Sequence, residues 1–191
     1  MPFSRAKNAK HLLSRRHFLL CGALVAGKCL LPGTALGAIR RPGEAEKTLA
    51  FHNLHTLEDL QVVYWRRGSY LPGALEEINY MFRDRRTEEI HNIDPALLDL
   101  LHALKHRLNT DAPFELVCGY RSPRTNAMLR RKNRGVAKRS LHLKGMAVDI
   151  RVPGYRTAAL RDVAMSLKAG GVGYYPKSRF VHVDIGPVRF W

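Results

Sequence analysis

The sequence predicts an α+β domain with a largely antiparallel sheet flanked by helices. Helical and strand-like segments are mixed along the chain, without the regular strand–helix–strand alternation that builds a parallel sheet. The 191 residues are 46% hydrophobic and 25% charged, which is typical of a globular protein and too apolar for a disordered one. Three cysteines are too few for a disulfide framework in a chain of this size. We therefore expect a single domain with its own hydrophobic core.

Two strands begin the predicted domain, over residues 48–54 and 60–65. Both are rich in aliphatic and aromatic residues, and a polar turn joins them. A helix with one apolar face is predicted over 72–83. The clearest helix follows, with Asp94 as its N-cap and Pro95 as its first residue. Its apolar face repeats at helical spacing and consists of Leu97, Leu101, Leu104 and Leu108.

A short buried strand is predicted over 114–118, and a helix begins soon after it at Ser122 and Pro123. Basic residues occupy the last turn of that helix, where they interact favourably with the helix dipole. Cys118 ends the apolar strand, and we expect it to be a small buried hydrophobic residue.

The last third of the chain is predicted to form three strands and one helix. A strand over 146–152 shows side-chain alternation. A helix over 157–169 comes next, and the double glycine at 170–171 is expected to end it. The final two strands are predicted over 172–175 and 180–185.

Residues 1–37 have the order of a bacterial export signal, which is charged, then apolar, then rich in small residues. Arg15 and Arg16 directly precede the apolar stretch, as in twin-arginine (Tat) signals, which are read by a dedicated export machinery. The alternative interpretation is an ordinary amphipathic first helix. The apolar stretch is shorter than the roughly 18–20 residues of a membrane span, so we expect no stable span after cleavage. The predicted domain then covers 38–191 in the periplasm, with cleavage after Gly37 or Ala38.

The charge balance is strongly basic, with a formal net charge of +16. Six cations and no acids lie in residues 1–37, which leaves 26 cations, 16 acids and a charge of +10 on the remainder. Seven cations cluster within 124–139, a density that suits the phosphates of a nucleic acid. The export signal argues against nucleic acid as the partner, because a periplasmic protein rarely meets it. Another anionic partner, or solvation alone, accounts for the cluster.

Side-chain alternation places polar groups on one face of two predicted strands. His182 and Asp184 point away from the apolar face of their strand, and Asp149 does so in the strand over 146–152. If the two strands are neighbours, these groups converge, and the loop at Gly145 allows His142 to fold back over the strand start. Two imidazoles and one carboxylate provide three zinc ligands and leave a fourth position open to water, as in catalytic zinc sites.

Several motifs in order carry a family resemblance. The central motif consists of Ser140, His142, Gly145, Ala147, Asp149, His182 and Asp184. Other matching segments lie at 53–56, 119–122, 134–138 and 170–176. Together they resemble the zinc peptidases of the D-alanyl-D-alanine peptidase superfamily, whose fold is shared with the Hedgehog signalling domain. The closer resemblance is to the YcbK-type (murein endopeptidase K) periplasmic proteins.

This resemblance implies a zinc-dependent murein endopeptidase, with His142, Asp149 and His182 as ligands of the zinc cofactor. The implied reaction is hydrolysis of peptide cross-links between the stem peptides of peptidoglycan. The tetrahedral oxyanion of such a reaction needs a cationic or hydrogen-bonding partner. Arg121, at the end of a buried strand, is the candidate, and the superfamily places there an arginine that holds a substrate carboxylate or carbonyl oxygen. Ser140 is the candidate for binding a substrate backbone group or terminal carboxylate.

The general base is missing from its usual place. Many members of the superfamily have an acidic residue or a histidine three or five residues before the last ligand, where this chain has Arg179 and Lys177. Asp184 shares the face of His182 and is the candidate catalytic carboxylate. It acts either as the base or by orienting a ligand, and we favour the orienting role.

Two other functions compete with the endopeptidase. One is a non-catalytic wall-binding module that keeps the metal site without an effective base. The other is a D-alanyl-D-alanine carboxypeptidase. For His55 we expect a structural role, whereas Tyr174 and Tyr175 fit a substrate groove and sheet packing equally well.

Overall fold

A mixed eight-stranded sheet is the centre of the computed structural model, which describes residues 45–133 and 135–191. The strands are β1 (Glu46–Asn53), β2 (Asp59–Arg66), β3 (Ser69–Tyr70), β4 (Phe114–Cys118), β5 (Ala147–Arg151), β6 (Gly171–Tyr175), β7 (Phe180–Asp184) and β8 (Arg189–Phe190). Their spatial order is β3-β2-β1-β4-β5-β7-β6-β8. Five neighbouring pairs are antiparallel, and only β1–β4 and β6–β8 are parallel. The predicted α+β class with a mostly antiparallel sheet is confirmed.

Four helices accompany the sheet: α1 (Pro72–Met81), α2 (Pro95–Leu108), α3 (Pro123–Lys132) and α4 (Thr157–Ser166). Helix α2 begins as predicted, since the Asp94 side chain accepts a hydrogen bond from the backbone N–H of Ala96. Helix α3 also begins as predicted, with the Ser122 side chain accepting from the N–H of Thr125. Among the described residues, no helix is both long and apolar enough to cross a membrane. The predicted export signal over 1–37 lies outside the described residues.

The hydrophobic core lies on one face of the sheet. The four leucines of the α2 repeat are buried, and α2 contacts β1 and α4. In the central strands, Val148 and Ile150 of β5 and Val181 and Val183 of β7 belong to this core. Because side chains alternate across a strand, the residues between them point to the opposite face. That opposite face is where the predicted polar residues of β5 and β7 lie.

The end of α4 differs from its prediction. The helix ends at Ser166, and Lys168 takes the left-handed conformation with φ of 50°. Gly170 and Gly171 therefore do not terminate it. They are needed instead for close packing, since a Cβ at Gly171 would lie 2.5 Å from Oδ2 of Asp184. A Cβ at Gly170 would overlap the Asp184 carbonyl oxygen.

Two short strands are absent from the prediction. β3 adds to the edge of β2, and β8 pairs in parallel with β6, so the strand over 180–185 is not the last one. Each contains two residues, which is too short for any side-chain alternation to be recognised. Both are made by pairing with a longer strand.

Candidate metal centre

The pairing of β5 with β7 brings Asp149 directly opposite His182. The strands are antiparallel neighbours, as the predicted convergence requires, so both side chains lie on the same face of the sheet. His142 comes from a short 3-10 helix, Leu141–Lys144, immediately before β5. Gly145 follows with φ of 66°, a left-handed conformation that turns the chain back into the strand.

Three side-chain atoms form a compact cluster here. Asp149 Oδ1 lies 3.2 Å from Nε2 of His142 and 2.9 Å from Nδ1 of His182. The two imidazole nitrogens are 3.1 Å apart. Ligands about 2.0–2.1 Å from a tetrahedral zinc ion lie about 3.3 Å from one another, so the spacing of this triad fits zinc. All three residues are buried, which keeps competing solvent away from the ligand atoms.

In each imidazole, the nitrogen that faces away from Asp149 makes a hydrogen bond that determines the tautomer. Nδ1 of His142 lies 2.8 Å from the carbonyl oxygen of Gly119, which can only accept, so Nδ1 carries the proton. Nε2 of His182 lies 2.9 Å from Oδ2 of Asp184 and donates to that carboxylate. His142 Nε2 and His182 Nδ1 are therefore the nitrogens that face Asp149 and are left for a metal ion. Such second hydrogen bonds orient metal-binding histidines.

Asp184 is fully buried and has many donors around it. Its Oδ1 accepts from the backbone N–H of Gly171 at 3.1 Å and of Gly186 at 2.8 Å, and Arg189 bonds to both of its oxygens. Burial by itself raises the pKa of this carboxyl, but the bonds from His182 and Arg189 outweigh it and hold the pKa well below its usual range. Asp184 is thus a permanent carboxylate with both oxygens occupied.

The charges of His142 and Asp149 stabilise one another when no metal is bound. Burial lowers the pKa of His142, but Asp149 and Cys118 together outweigh burial and raise that pKa to about 10. Burial also opposes ionisation of Asp149, yet His142 and His182 hold its pKa well below the usual range. The metal-free centre therefore binds a proton where a cation would bind.

Arg121 lies beside the triad, at the exit of β4. Its Nη2 is 3.8 Å from Oδ2 of Asp149 and 3.5 Å from Sγ of Cys118. Within the described residues, its buried Nε has no hydrogen-bond acceptor. The backbone N–H of Arg121 donates to the carbonyl of His142 at 3.1 Å, and the N–H of Ser122 donates to Asp84 at 2.8 Å. The guanidinium is thus held near the centre with unused donor capacity.

Two clefts meet at the metal centre. The first, called here the His55 cleft, has a volume of about 510 Å³ and runs past His55, Cys118 and Arg151. The second, called here the Trp191 cleft, has a volume of about 560 Å³ and contains Ser140 and Trp191. Residues lining both are Arg121, Asp149, Ser178 and Phe180. An extended chain can therefore lie across the centre with residues on either side of it.

Comparison with known proteins identifies the family. The family model described as peptidoglycan L,D-endopeptidase MepK matches residues 41–191. The chain belongs to this family. It is 42% identical over 178 residues to peptidoglycan L,D-endopeptidase MepK of Escherichia coli (strain K12), covering 93% of this chain and 97% of that protein. It is 40% identical over 179 residues to the probable MepK of Haemophilus influenzae, covering 93% and 95%.

The predicted resemblance is confirmed by this membership. MepK proteins belong to the superfamily of zinc-dependent D-alanyl-D-alanine peptidases, so the chain is a metallopeptidase of the peptidoglycan endopeptidase type. The resemblance came from His142, Asp149, His182 and the motifs around them. Those three residues are the ones that the fold brings within hydrogen-bonding distance of each other.

Cys118 differs from its prediction as a buried hydrophobic residue. It is only half-buried, and a possible ligand set of Cys118, His142 and Asp149 has its atoms within 4.8 Å of one another. A register shift after Leu116 places Cys118 opposite Asp149 across β4 and β5. No pattern in the sequence indicates that shift. The apolar strand around Cys118 therefore predicted only a buried hydrophobic residue.

The two tyrosines have different surroundings. Tyr175 lines the Trp191 cleft and stacks on Phe180, with ring centroids 4.5 Å apart. Tyr174 packs under the guanidinium of Arg161, at 4.6 Å. Lys177 and Arg179 stand at the two positions where many members of the superfamily have the general base. Both are exposed in the turn between β6 and β7.

Trp191 is a cleft residue that the sequence analysis missed. Its ring lies 5.3 Å from the ring of His182, and its Nε1 donates to the hydroxyl of Tyr175 at 2.9 Å. Gly173, the cross-strand partner of His182, makes room for it, since a Cβ there would be 2.6 Å from the indole. The feature of the sequence that could have pointed to an aromatic neighbour was Gly173, in the strand expected beside that of His182.

Proposed function

We propose that this chain hydrolyses L,D peptide cross-links of peptidoglycan, with zinc held by His142, Asp149 and His182. The observation that carries the proposal is a buried triad with zinc spacing at the junction of two clefts. The names of the MepK relatives support the substrate and the type of bond. Structural zinc sites usually have four protein ligands, many of them thiolates. Because the triad of His142, Asp149 and His182 contains no thiolate, it favours a catalytic site.

Each protein group has a defined part in the reaction. When bound, zinc supplies a Lewis acid that activates water and polarises a peptide carbonyl. Arg121 stabilises the negative charge that develops on the carbonyl oxygen, using the donors it leaves unused in the fold. Ser140 is half-buried in the Trp191 cleft, where it binds a backbone group or carboxylate of the peptide.

Asp184 orients His182 in this proposal. Both of its oxygens accept hydrogen bonds within the fold, and its side chain has no exposed surface. A general base must reach the proton that it removes, which argues against that role for Asp184. Its carboxylate also makes the imidazole of His182 a stronger ligand.

The two clefts favour an endopeptidase over the carboxypeptidase alternative. An endopeptidase must accommodate peptide on both sides of the cut bond, whereas a carboxypeptidase needs room for one terminal residue on one side. Here each side has a cleft of at least about 510 Å³. A cross-linked pair of stem peptides requires that arrangement.

Export and fold family complete the proposal. A peptidoglycan substrate implies a periplasmic location, and we infer transport by the twin-arginine machinery from residues 1–37, with 38–191 as the mature domain. The Hedgehog-like fold is inferred from the superfamily resemblance. The mostly antiparallel sheet, with the metal centre on the face opposite the hydrophobic core, is compatible with it.

The test is a mass-spectrometric map of murein sacculi treated with the zinc-loaded protein. We expect loss of cross-linked dimers with a matching gain of monomers whose masses identify an L,D bond. His182→Ala should abolish this change, whereas His52→Ala, a partly exposed histidine on β1 bonded to Asp59, should not. Release of free D-alanine would indicate the carboxypeptidase. Wall binding without cleavage, unaffected by chelation, would indicate the binding module.

A further inference from the structure

The His55 cleft is rich in positive charge. The described residues that line it include two aspartates and five arginines, namely Arg83, Arg85, Arg86, Arg121 and Arg151. Both aspartates are engaged: Asp84 accepts backbone hydrogen bonds, and Asp149 belongs to the triad. The cleft therefore presents more cations than its own acids neutralise.

Three of these arginines have no ion pair. Arg83 is bound by two glutamates, Glu58 and Glu88. In contrast, Arg85, Arg86 and Arg151 form no salt bridge within 4.0 Å to any residue in 45–133 or 135–191. Arginines without acidic partners keep their guanidinium donors available for an anion from outside the chain.

Arg151 is the member of this group closest in sequence to the metal centre. It lies two residues after Asp149 on β5, so both side chains point to the same face, about 6.7 Å apart along the strand. Its Nη2 donates to the carbonyl of Ser178 at 3.1 Å, the one hydrogen bond of this side chain within the described residues. Its Nε is buried and has no acceptor among the described residues, and its cross-strand neighbour Glu115 forms no ion pair with it.

His55 lies close enough to Arg85, Arg86 and Arg151 to be affected by the charges of all three. Its Nε2 lies 3.1 Å from the carbonyl of Val117, inside the same cleft. Burial lowers the pKa of His55, and Arg85, Arg86 and Arg151 each lower it further by repulsion. Arginines from two separate segments thus act on one point of the cleft.

We propose that Arg151, assisted by Arg85 and Arg86, forms a subsite for a free carboxylate of the peptide substrate next to the bond that is cut. This rests on the proposed function. In the proposed function, the L,D cross-link joins diaminopimelate residues of two stem peptides. Each diaminopimelate has two carboxyl groups, and the cross-link occupies at most one of them, so a free carboxylate remains within a few bonds of the scissile amide. The planar guanidinium of arginine binds a carboxylate through two parallel hydrogen bonds.

The experiment compares two cross-linked diaminopimelate peptides, one with this carboxylate free and one with it converted to a carboxamide. The zinc-loaded protein should cleave the free acid with a kcat/KM about tenfold or more above that of the amide, mainly through KM. Arg151→Gln should lose this preference by losing activity on the acid alone. Arg85→Gln, an exposed position that does not endanger folding, should reduce the preference partly. The control Arg107→Gln, at the end of α2, should keep it.

Two results would overturn the subsite. One is equal cleavage of acid and amide by the unaltered protein; the other is an equal loss on both peptides in Arg151→Gln, which indicates a structural role. If the unaltered protein cleaves neither peptide, the proposed function fails. The subsite is then tested separately, by calorimetry of the binding of the uncross-linked stem peptide in its acid and amide forms. Tighter binding of the acid that Arg151→Gln removes supports the subsite, and equal binding of both forms refutes it.

Discussion

Nε2 of His182 lies 2.9 Å from Oδ2 of Asp184, and this contact determines which nitrogen of the imidazole faces Asp149. The carboxylate is itself held by two backbone N–H groups and Arg189. The segment that follows β7 therefore holds Asp184 in place, and Asp184 in turn orients the proposed ligand His182. A change in Asp184 should therefore lower metal affinity, in addition to any effect on the backbone that it holds.

Asp184→Asn should weaken zinc binding by about 10–100-fold, the usual effect of removing a carboxylate behind a metal-binding histidine. The amide oxygen can accept from His182 only by turning its NH2 group toward the donors on the other side. Competition with a fluorescent zinc chelator measures the affinity. Asp162→Asn is the control, because that exposed carboxylate pairs with its neighbour Arg161 on α4. Unchanged zinc affinity in a folded Asp184→Asn protein would refute the orienting role.

Asp84→Asn should lower kcat/KM by about tenfold while zinc affinity stays constant. Asp84 accepts the backbone N–H of Ser122, directly after Arg121, and loss of a hydrogen bond to a charged acceptor costs about 1.5–3 kcal/mol. Part of that cost should appear as displacement of the Arg121 guanidinium. Steady-state kinetics and the chelator competition are measured on the same preparation. Asp111→Asn, a fully exposed site, is the matched control. A parallel loss of zinc would contradict the assignment.

Gly145→Ala should be more damaging than Gly154→Ala, although both glycines have positive φ, of 66° and 81°. A Cβ at Gly145 would overlap the carbonyl oxygen of Asn92, whereas none of the described atoms lies within 4 Å of one at Gly154. Both changes carry the backbone strain of about 1–3 kcal/mol, and only Gly145→Ala adds a clash beside His142. Chemical denaturation gives the two free energies of unfolding. Equal losses would show that the clash is relieved without cost.

In the metal-free protein, the stabilisation that His142 contributes should be lost as pH rises from about 6.5 to 10. The pKa of His142 is raised to about 10 in the fold, so within this window its imidazole holds a proton in the folded state that it has lost in the unfolded state. The stabilisation is complete below the unfolded pKa and disappears as pH passes the folded one. Each kcal/mol lost lowers Tm by about 2–4 °C in a chain of this length.

Thermal unfolding in chelator at pH 6 and pH 9 measures this effect. His142→Gln should show a smaller drop between the two pH values, since it removes the proton that is lost. With zinc bound, the proton is already displaced, and the drop attributable to His142 should vanish. A metal-free protein whose Tm is the same or higher at pH 9, with no difference in His142→Gln, would contradict the coupling.

Local periodicity in the sequence was sufficient for most elements and for two of the proposed ligands. Helix α2 follows from its cap and leucine repeat, and the polar face of β5 and β7 follows from alternation, because both patterns depend on residues only a few positions apart. Alternation indicated Asp149 and His182, whereas His142 was added from the loop at Gly145 and from the family motif. Their spacing in the chain also carried the family resemblance.

Only the tertiary structure decided what depends on distant segments. The register of β5 against β7, the shift that places Cys118 opposite Asp149, and the two-residue strands β3 and β8 come from pairing between strands far apart in the chain. The gathering of Arg85 and Arg86 with Arg151 is of the same kind. Such contacts form when packing energy and hydrogen bonding outweigh loop closure, and no local pattern records that balance.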